Sequence, residues 1–212
     1  FDERSLADPD PVVLSTAGQA GKNTVAIRTS GAGTVYWSAT AASYDRAGAL
    51  EQSGARKLAL ARRYFTLQPV RSGARLLYRE RPLDGPVAPG DVLLVRLTAA
   101  GSTDWRYLMI EDPIPAGTEP IQLMDLYPLE RRGASFDPAR REYRDDRVVL
   151  FQESFTGGRY DYQYLLKVTT PGVFGAMPAR IAPMYVPGAQ ASTATQTLTV
   201  QAANAGGQGA QR

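Results

Sequence analysis

Two pairs of neighbouring carboxylates are the first candidates for chemistry in this sequence. Glu111 and Asp112 could act as an acid and a base, but neighbours on a strand point to opposite faces, so they cannot flank one scissile bond. Capping of the turn before Pro113 accounts for them better. Asp145 and Asp146 lack the further spaced oxygen ligands of a calcium site and fit the solvated start of a strand. Neither pair predicts a catalytic or a metal site.

The absence of cysteine and histidine removes most other catalytic chemistry. With Cys 0 and His 0, the chain has no thiol nucleophile, no Ser-His-Asp triad, no imidazole base and no Cys/His zinc site. Its 24 basic and 21 acidic residues are interleaved, which gives a net charge of +3 and little support for nucleic-acid binding. We therefore predict a protein that is not an enzyme, with no catalytic residue, cofactor, metal ion or nucleic-acid partner.

A run of alternating tyrosines is the next candidate site. Tyr160, Tyr162 and Tyr164 share one face of a predicted strand with Leu166 and Val168. Aromatic alternation of this kind usually packs a core or a half-buried sheet face, whereas an exposed face would form a platform for a sugar or a peptide. Core packing is the favoured interpretation, and a binding platform stays open as the alternative.

The segment PARIAPMYVPG, residues 178 to 188, places two large amphipathic side chains between prolines. Pro183 and Pro187 flank Met184 and Tyr185, and each proline lacks a backbone donor and has a fixed φ. We predict a stiff, irregular segment in which the prolines limit the freedom of the pair.

Short apolar runs between turn signals predict an all-β fold. LALARRYFTL, DVLLVRLTA, WRYLMIED, DRVVLFQE, YDYQYLLKVTT and TATQTLTVQ each read as a strand, and Gly 20 and Pro 15 are spread between such runs. We predict one antiparallel β-sandwich over residues 58 to 200, with Leu93, Val95 and Leu97 inside. DRVVLFQE and YDYQYLLKVTT are joined by SFTGGR at the spacing of a hairpin. No apolar run reaches the length of a membrane-spanning helix.

The ends of the chain are organised differently. TVAIRT and TVYWSATAASY, joined by SGAG, predict an additional β-hairpin near the N-terminus. We divide the chain into a β segment at 1–45, a linker at 46–57, the sandwich at 58–201 and a frayed tail at 202–212. The first residues show no secretory leader, which suggests a mature protein or a fragment. Residues 122 to 145 are the longest stretch without alternation, and loops of that length are usually functional or mobile.

The order of several phrases resembles the C-terminal region of bacterial alpha-2-macroglobulins. GKNTVAIRTSGAGTVYWSA resembles the glycine-rich hairpin that follows the thioester domain of that family. LALARRYF, GDVLLVRLT, YLMIEDPIPAGTEP, RDDRVVLF, YLLKVTTPGVF and PARIAPMYVPG resemble successive pieces of its last macroglobulin-like domain. Such domains are fibronectin- or immunoglobulin-like β-sandwiches, in agreement with the strand pattern.

The resemblance implies a function for the whole parent chain. Members of the family trap proteases: a bait region is cut, the molecule rearranges, and a Cys-Gln thioester captures the attacker. Because this chain has no cysteine, it would be a non-catalytic C-terminal domain that packs on the thioester domain. The implied partners are that thioester domain, target proteases through the parent, and a penicillin-binding cell-wall synthase. The implied state is a periplasmic monomer whose parent is lipid-anchored to the inner membrane.

The resemblance also assigns a role to the proline-bounded pair. In thioester-bearing members a Met-Tyr pair of the last domain covers the thioester, and Met184 and Tyr185 match it by order and context, with Pro183 and Pro187 supplying rigidity. Ordinary packing at the end of the sandwich is the competing explanation. A β-sandwich module for adhesion, or for carbohydrate or protein binding, is the alternative function and requires an exposed aromatic platform. A carboxylate enzyme would require an acidic cleft.

Overall fold

A computed structural model describes residues 13–19, 23–40, 53–54, 58–130, 138 and 140–202. The chain divides into two units, residues 1–43 and residues 44–212. All the strands of the described residues belong to the second unit. None of the helices in this described part is long and apolar enough to cross a bilayer.

The second unit is built from thirteen strands and one short 3-10 helix in its described residues. The strands are β1 (Ser53–Gly54), β2 (Leu58–Ser72), β3 (Arg75–Pro82), β4 (Val92–Gly101), β5 (Trp105–Pro113), β6 (Thr118–Ile121), β7 (Arg140–Tyr143), β8 (Arg147–Phe155), β9 (Gly158–Val168), β10 (Gly172–Ala176), β11 (Arg180–Pro183), β12 (Ala191–Ser192) and β13 (Gln196–Val200). The 3-10 helix spans Met124–Leu126.

These strands form three antiparallel sheets. The first sheet has the order β1-β12-β11-β5-β8-β7, the second has the order β3-β2-β4-β9-β6, and β10 pairs with β13 in a third, smaller sheet. The longest ladder in the second sheet joins β4 and β9, which pair from Val92 with Lys167 to Gly101 with Gly158. The all-β antiparallel fold class predicted from the alternation is confirmed.

The main core lies between the first and second sheets. Residues in phase on each strand point inward, as a period of two requires, so Leu93, Val95 and Leu97 are buried as predicted. They belong to one buried cluster with side chains of the facing sheet, among them Leu108 and Ile110. The fully buried aromatic and aliphatic side chains that contribute most volume are Tyr162, Tyr164, Phe155, Leu60, Leu93, Leu94, Leu97, Leu108, Ile110, Leu150, Leu165 and Leu166.

A second, smaller core covers the outer face of the second sheet. Phe65, Leu94 and Leu165 are buried there, and the chain from Ile121 to Leu129 supplies the side chains that pack over them. Part of the stretch at 122 to 145 is therefore a packed cover for this sheet. Residues 131–137 and 139 of that stretch lie outside the described residues.

The predicted hairpin between DRVVLFQE and YDYQYLLKVTT is wrong. β8 pairs with β5 and β7 in the first sheet, whereas β9 pairs with β4 and β6 in the second. Only Thr156 and Gly157 separate the two strands, and the Gly157 N–H donates to Asp104 Oδ1 over 2.9 Å. The short connection thus crosses from one layer of the sandwich to the other, and β9 pairs along almost its whole length with β4 instead.

The N-terminal unit departs from the predicted hairpin. Residues 13–19 and 23–40 form no strand within the described part of the chain, and Val25 and Trp37 are 75% and 67% exposed. A two-stranded hairpin is marginally stable unless a third element buries its apolar face. These side chains have no such cover among the described residues of this unit.

The other predicted domain boundaries lie largely at residues that the structure does not describe. Ser53 and Gly54, within the predicted linker at 46–57, form β1 and pair with β12. Residues 203–212 of the predicted tail lie outside the described residues. The domain limits 1–45, 46–57, 58–201 and 202–212 stay predictions.

Candidate functional site

The Met-Tyr pair lies in the loop that connects β11 to β12. β11 pairs with β12 on one side, Arg180 opposite Ser192, and with β5 on the other, Pro183 opposite Leu108. Residues 184 to 190 form the loop between these two strands. The segment that the prolines predicted to be wholly irregular therefore contains four residues of strand before the loop begins. The loop therefore starts from β11, an inner strand of the first sheet.

The loop is closed at its base by polar contacts. An Arg180 guanidinium N–H donates to Gln190 Oε1, so a side-chain bond joins the first residue of β11 to the last residue of the loop. The Ala189 N–H donates to the Val186 carbonyl over 3.4 Å, and Gly188 turns the chain with a φ of 75°. Ala189 itself is buried. These contacts limit the freedom of the segment that carries Met184.

The prolines predicted to stiffen the loop occupy different positions. Pro183 is the buried last residue of β11, whereas Pro187 is exposed in the loop beside Gly188. The missing N–H of Pro183 removes a donor at the end of β11, whereas Pro187 lies outside the strands. Their assignment to loop rigidity stays a prediction.

Met184 and Tyr185 have exposed side chains at the start of this loop. Their side chains are 48% and 73% exposed, and Val186 next to them is 40% exposed. Tyr107 of β5 is 44% exposed and touches the pair, with its ring edge-to-face on Tyr185 at 5.6 Å between centroids and 85° between planes. Together these four residues, which we call the apolar cap, form an exposed apolar surface on a supported loop.

The backbone of Tyr107 also contacts the loop, which the sequence did not indicate. The Met184 N–H donates to the Tyr107 carbonyl over 2.9 Å, one step beyond the β11–β5 ladder. Tyr107 has a positive φ of 54°. A tyrosine within an alternating strand pattern gives no sign of this conformation, so sequence reasoning missed it.

The first acidic pair is divided between the surface and the core. Glu111 and Asp112 point to opposite faces as predicted: Glu111 is half-buried beside Arg147 at 3.3 Å, and Asp112 is fully buried. Turn capping is the wrong interpretation for Asp112, because its carboxylate pairs with the buried Arg62 guanidinium at 2.5 Å. The pair therefore cannot serve as a joint acid and base.

Arg62 and Asp112 link the sheets of the sandwich through a buried polar cluster. Arg62 also donates to Gln196 Oε1 over 3.1 Å and to the Ala176 carbonyl over 3.0 Å, and the Tyr164 hydroxyl donates to Asp112 Oδ2 over 2.7 Å. Burial raises the pKa of Asp112, against the opposing effects of the Arg62 charge and of the two hydrogen bonds. Burial likewise raises the pKa of Tyr164, which keeps its hydroxyl a donor. The cluster is enclosed and joins strands rather than facing a substrate.

The remaining sequence candidates are structural in the described residues. Asp145 and Asp146 are exposed at the start of β8, and a hydrogen bond from Arg147 lowers the pKa of Asp146. Tyr162 and Tyr164 are fully buried, so the tyrosine run packs the core. Among the described residues, no group of three or more acidic side chains is placed to hold a metal ion.

A cleft of about 650 Å³ opens beside β2, β13 and the turn at 82–86. Among the described residues that line it, none is an Asp or a Glu. A carboxylate enzyme needs two such groups converging on one bond. The cleft therefore does not support the hypothesis of a carboxylate enzyme.

Comparison with known proteins agrees with this architecture. The family model described as the bacterial alpha-2-macroglobulin MG10 domain matches residues 58–188. The alpha-2-macroglobulin of Thermotoga maritima is 31% identical over 127 residues, which cover 56% of this chain and 8% of that protein. The chain thus spans less than a tenth of the length of this curated relative.

Solved structures share the fold. Native alpha-2-macroglobulin from Escherichia coli, in a form spanning domain MG7 to the C-terminus, superimposes with a TM-score of 0.55 at 23% identity, over 71% of this chain and 24% of that chain. Salmonella alpha-2-macroglobulin reacted with methylamine superimposes with a TM-score of 0.51 at 20% identity, over 71% of this chain and 10% of that chain. Since the family model matches more than half of the sequence, the chain belongs to the bacterial alpha-2-macroglobulin MG10 domain family.

Proposed function

We propose that this chain is the non-catalytic C-terminal domain of a protease-trapping alpha-2-macroglobulin, and that Met184 and Tyr185 cover the thioester of the parent until activation. The observation that carries the proposal is the exposed pair on a loop anchored to the central strands of an MG10 domain. A surface of this kind, apolar and supported but left open, is typical of an interaction site.

The chemistry of the two side chains suits a cover for an electrophile. A thioester is lost to water and to small amines, so its lifetime depends on keeping both away. A thioether has no acidic proton, and a neutral phenol is a weak nucleophile. The flexible Met184 side chain can fill an irregular gap, while the flat Tyr185 ring excludes solvent over a wide area. The pair would therefore shield the thioester without attacking it readily.

The strength of such a cover follows from the area that remains to be buried. Complete burial of a side chain of this size is worth about 1.5–3 kcal/mol. Since 48% of Met184 and 73% of Tyr185 are exposed, contact with a thioester domain would contribute about 2 kcal/mol from the two together. That corresponds to about a ten- to hundredfold preference for the covered state.

Further parts of the proposal come from the family resemblance. Through its parent, the domain would act on target proteases and associate with a penicillin-binding cell-wall synthase. The parent would be a periplasmic monomer anchored to the inner membrane by lipid. The competing adhesion or carbohydrate module loses its predicted platform, because Tyr162 and Tyr164 are in the core.

The kinetics of thioester loss test the proposal in the full-length parent. Met184→Ala and Tyr185→Ala, made together, remove the cover without adding backbone freedom. We expect methylamine to release the free thiol about ten- to a hundredfold faster than in wild type, because the covered state loses the free energy estimated above. The reagent is apt, since the Salmonella relative was crystallised after reaction with methylamine.

A matched control separates shielding from a general loss of apolar surface. Leu123→Ala with Leu126→Ala truncates two side chains that are 67% and 64% exposed on the cover of the second sheet. This control should release thiol at the wild-type rate. Equal rates in the Met184/Tyr185 variant and wild type, with both proteins folded, would make the pair ordinary surface residues.

A further inference from the structure

Tyr107 has an unusual backbone conformation that its own burial does not explain. It is the one non-glycine residue with a positive φ, 54°, in the described part of the chain. In this left-handed region Cβ approaches the carbonyl oxygen, so a side chain larger than that of Gly is disfavoured unless its surroundings hold it there. At 44% exposed, the ring is not held by the core. The neighbouring contacts must therefore support the conformation.

The first consequence of this conformation is a change of face within β5. Leu108 and Ile110 point into the core, and strict alternation would place Arg106 there as well. Arg106 is instead exposed, and Trp105 packs against the core. The pairing of β5 with β8 keeps its register across this point and omits only the pair at Tyr107. The left-handed residue thus shifts the alternation of β5, so that Trp105 rather than Arg106 faces the core.

The second consequence is that Tyr107 reaches the Met-Tyr loop with two separate groups. Its carbonyl accepts the Met184 N–H over 2.9 Å at the point where β11 ends. Its ring contacts the Tyr185 ring edge-to-face at 5.6 Å, an arrangement that aromatic pairs prefer. The backbone of Tyr107 therefore fixes the start of the loop, and its side chain fixes the orientation of the next residue.

We propose that Tyr107 is a positioning residue that pre-forms the apolar cap, and this inference rests on the proposed function. With the loop tied at Met184 and at Tyr185, the two side chains project together before any partner arrives. A surface that is already ordered loses less conformational entropy on docking. Tyr107 would act on the thioester only through this loop.

Substitutions at position 107 separate its two contacts. Tyr107→Phe keeps the ring and the backbone. Tyr107→Gly removes the ring but adopts the left-handed conformation readily, and Tyr107→Val disfavours that conformation because it is β-branched. The variants are compared in the 212-residue chain by amide hydrogen exchange at Met184 and by the Hα–Hβ couplings of Tyr185, which report whether its side chain keeps one χ1 rotamer. Urea unfolding shows whether each variant remains folded.

The expected pattern follows from which contact each variant loses. Tyr107→Phe should match wild type in both signals. Tyr107→Gly should move the Tyr185 couplings to the averaged values of a freely rotating side chain and leave Met184 exchange within about twofold of wild type. Tyr107→Val should also accelerate Met184 exchange about tenfold, the effect of losing one tethering hydrogen bond. A residue needed only for packing Trp105 would change stability and leave the Tyr185 couplings unchanged.

Two outcomes would overturn the inference, and both differ from failure of the cover. Wild-type Tyr185 couplings in folded Tyr107→Gly, or wild-type Met184 exchange in folded Tyr107→Val, would show that the loop is positioned without Tyr107. In the parent, Tyr107→Gly should release its thiol several-fold faster if the cover is real, since the cap is then less ordered. Altered loop signals with unchanged thiol release, in this variant and in the Met184/Tyr185 variant alike, would support positioning and reject the thioester cover.

Discussion

Removal of the buried Asp112 carboxylate should destabilise the sandwich strongly. Arg62 and Asp112 have side chains with 0% exposure, and the guanidinium makes its shortest contact, 2.5 Å, with this carboxylate. In Asp112→Ala the guanidinium keeps its bonds to Gln196 and to the Ala176 carbonyl but loses its counter-charge. The Tyr164 hydroxyl loses its acceptor as well. An uncompensated charge would then remain between the sheets.

The expected loss of stability is large for a single substitution. Breaking a buried ion pair by removing one partner costs about 3–5 kcal/mol. A domain of ordinary stability has about 5–15 kcal/mol in total, so Asp112→Ala should lose a substantial fraction of it. The exposed pair Arg79–Glu130 provides a matched control, since its 2.6 Å contact is as short but solvent screens it.

Urea unfolding of the 212-residue chain measures the difference. Asp112→Ala should lower the transition midpoint far more than Glu130→Ala, with a similar dependence on denaturant in both variants. Replacing both partners, Arg62→Met with Asp112→Leu, should recover much of the loss because no charge is left buried. Equal midpoints for Asp112→Ala and Glu130→Ala would refute the reasoning.

Three further predictions concern single contacts. Tyr164→Phe should cost about 1–3 kcal/mol by leaving the buried Asp112 Oδ2 without its donor. Tyr64→Phe should be nearly neutral in urea unfolding, because the buried Tyr64 hydroxyl has no hydrogen-bond partner among the described residues. Gly117→Ala should lower the thermal midpoint, since an added Cβ would lie 2.2 Å from the Phe174 ring. Adding Phe174→Ala to this variant should relieve the clash, and a wild-type midpoint in Gly117→Ala would contradict the predicted contact. Treatment of the wild-type parent with hydrogen peroxide should accelerate its thiol release, because the 48% exposed Met184 becomes a polar sulfoxide. Met184→Leu should be resistant, and equal acceleration in both proteins would exclude Met184 as the sensitive group.

The strands were predictable because their signal is local. Alternation in DVLLVRLTA places Leu93, Val95 and Leu97 on one face, and the structure buries all three. Strand pairing is not local: β8 and β9 are separated by two residues yet lie in different sheets. The hairpin spacing therefore predicted the wrong partner, because β9 pairs with β4, which is distant from it in the sequence.

The buried pair Arg62–Asp112 could have been predicted from the alternation of the two strands. Arg62 is in phase with the inward Leu60, and Asp112 is in phase with the inward Ile110. Opposite charges at inward positions of two strands indicate a buried pair. The left-handed conformation of Tyr107 left no such signal, since its surroundings rather than its type support it.

Photo-cross-linking from position 185 tests the central claim most directly. In the full-length parent, Tyr185 is replaced by benzoylphenylalanine, and the same residue at position 126 serves as the control. If the Met-Tyr pair covers the thioester, irradiation of the unactivated protein should link position 185 to residues around the thioester, and protease activation should abolish that link. Position 126 should give no such product. A link from position 185 only to other parts of the parent, or one that protease activation leaves unchanged, would contradict the account.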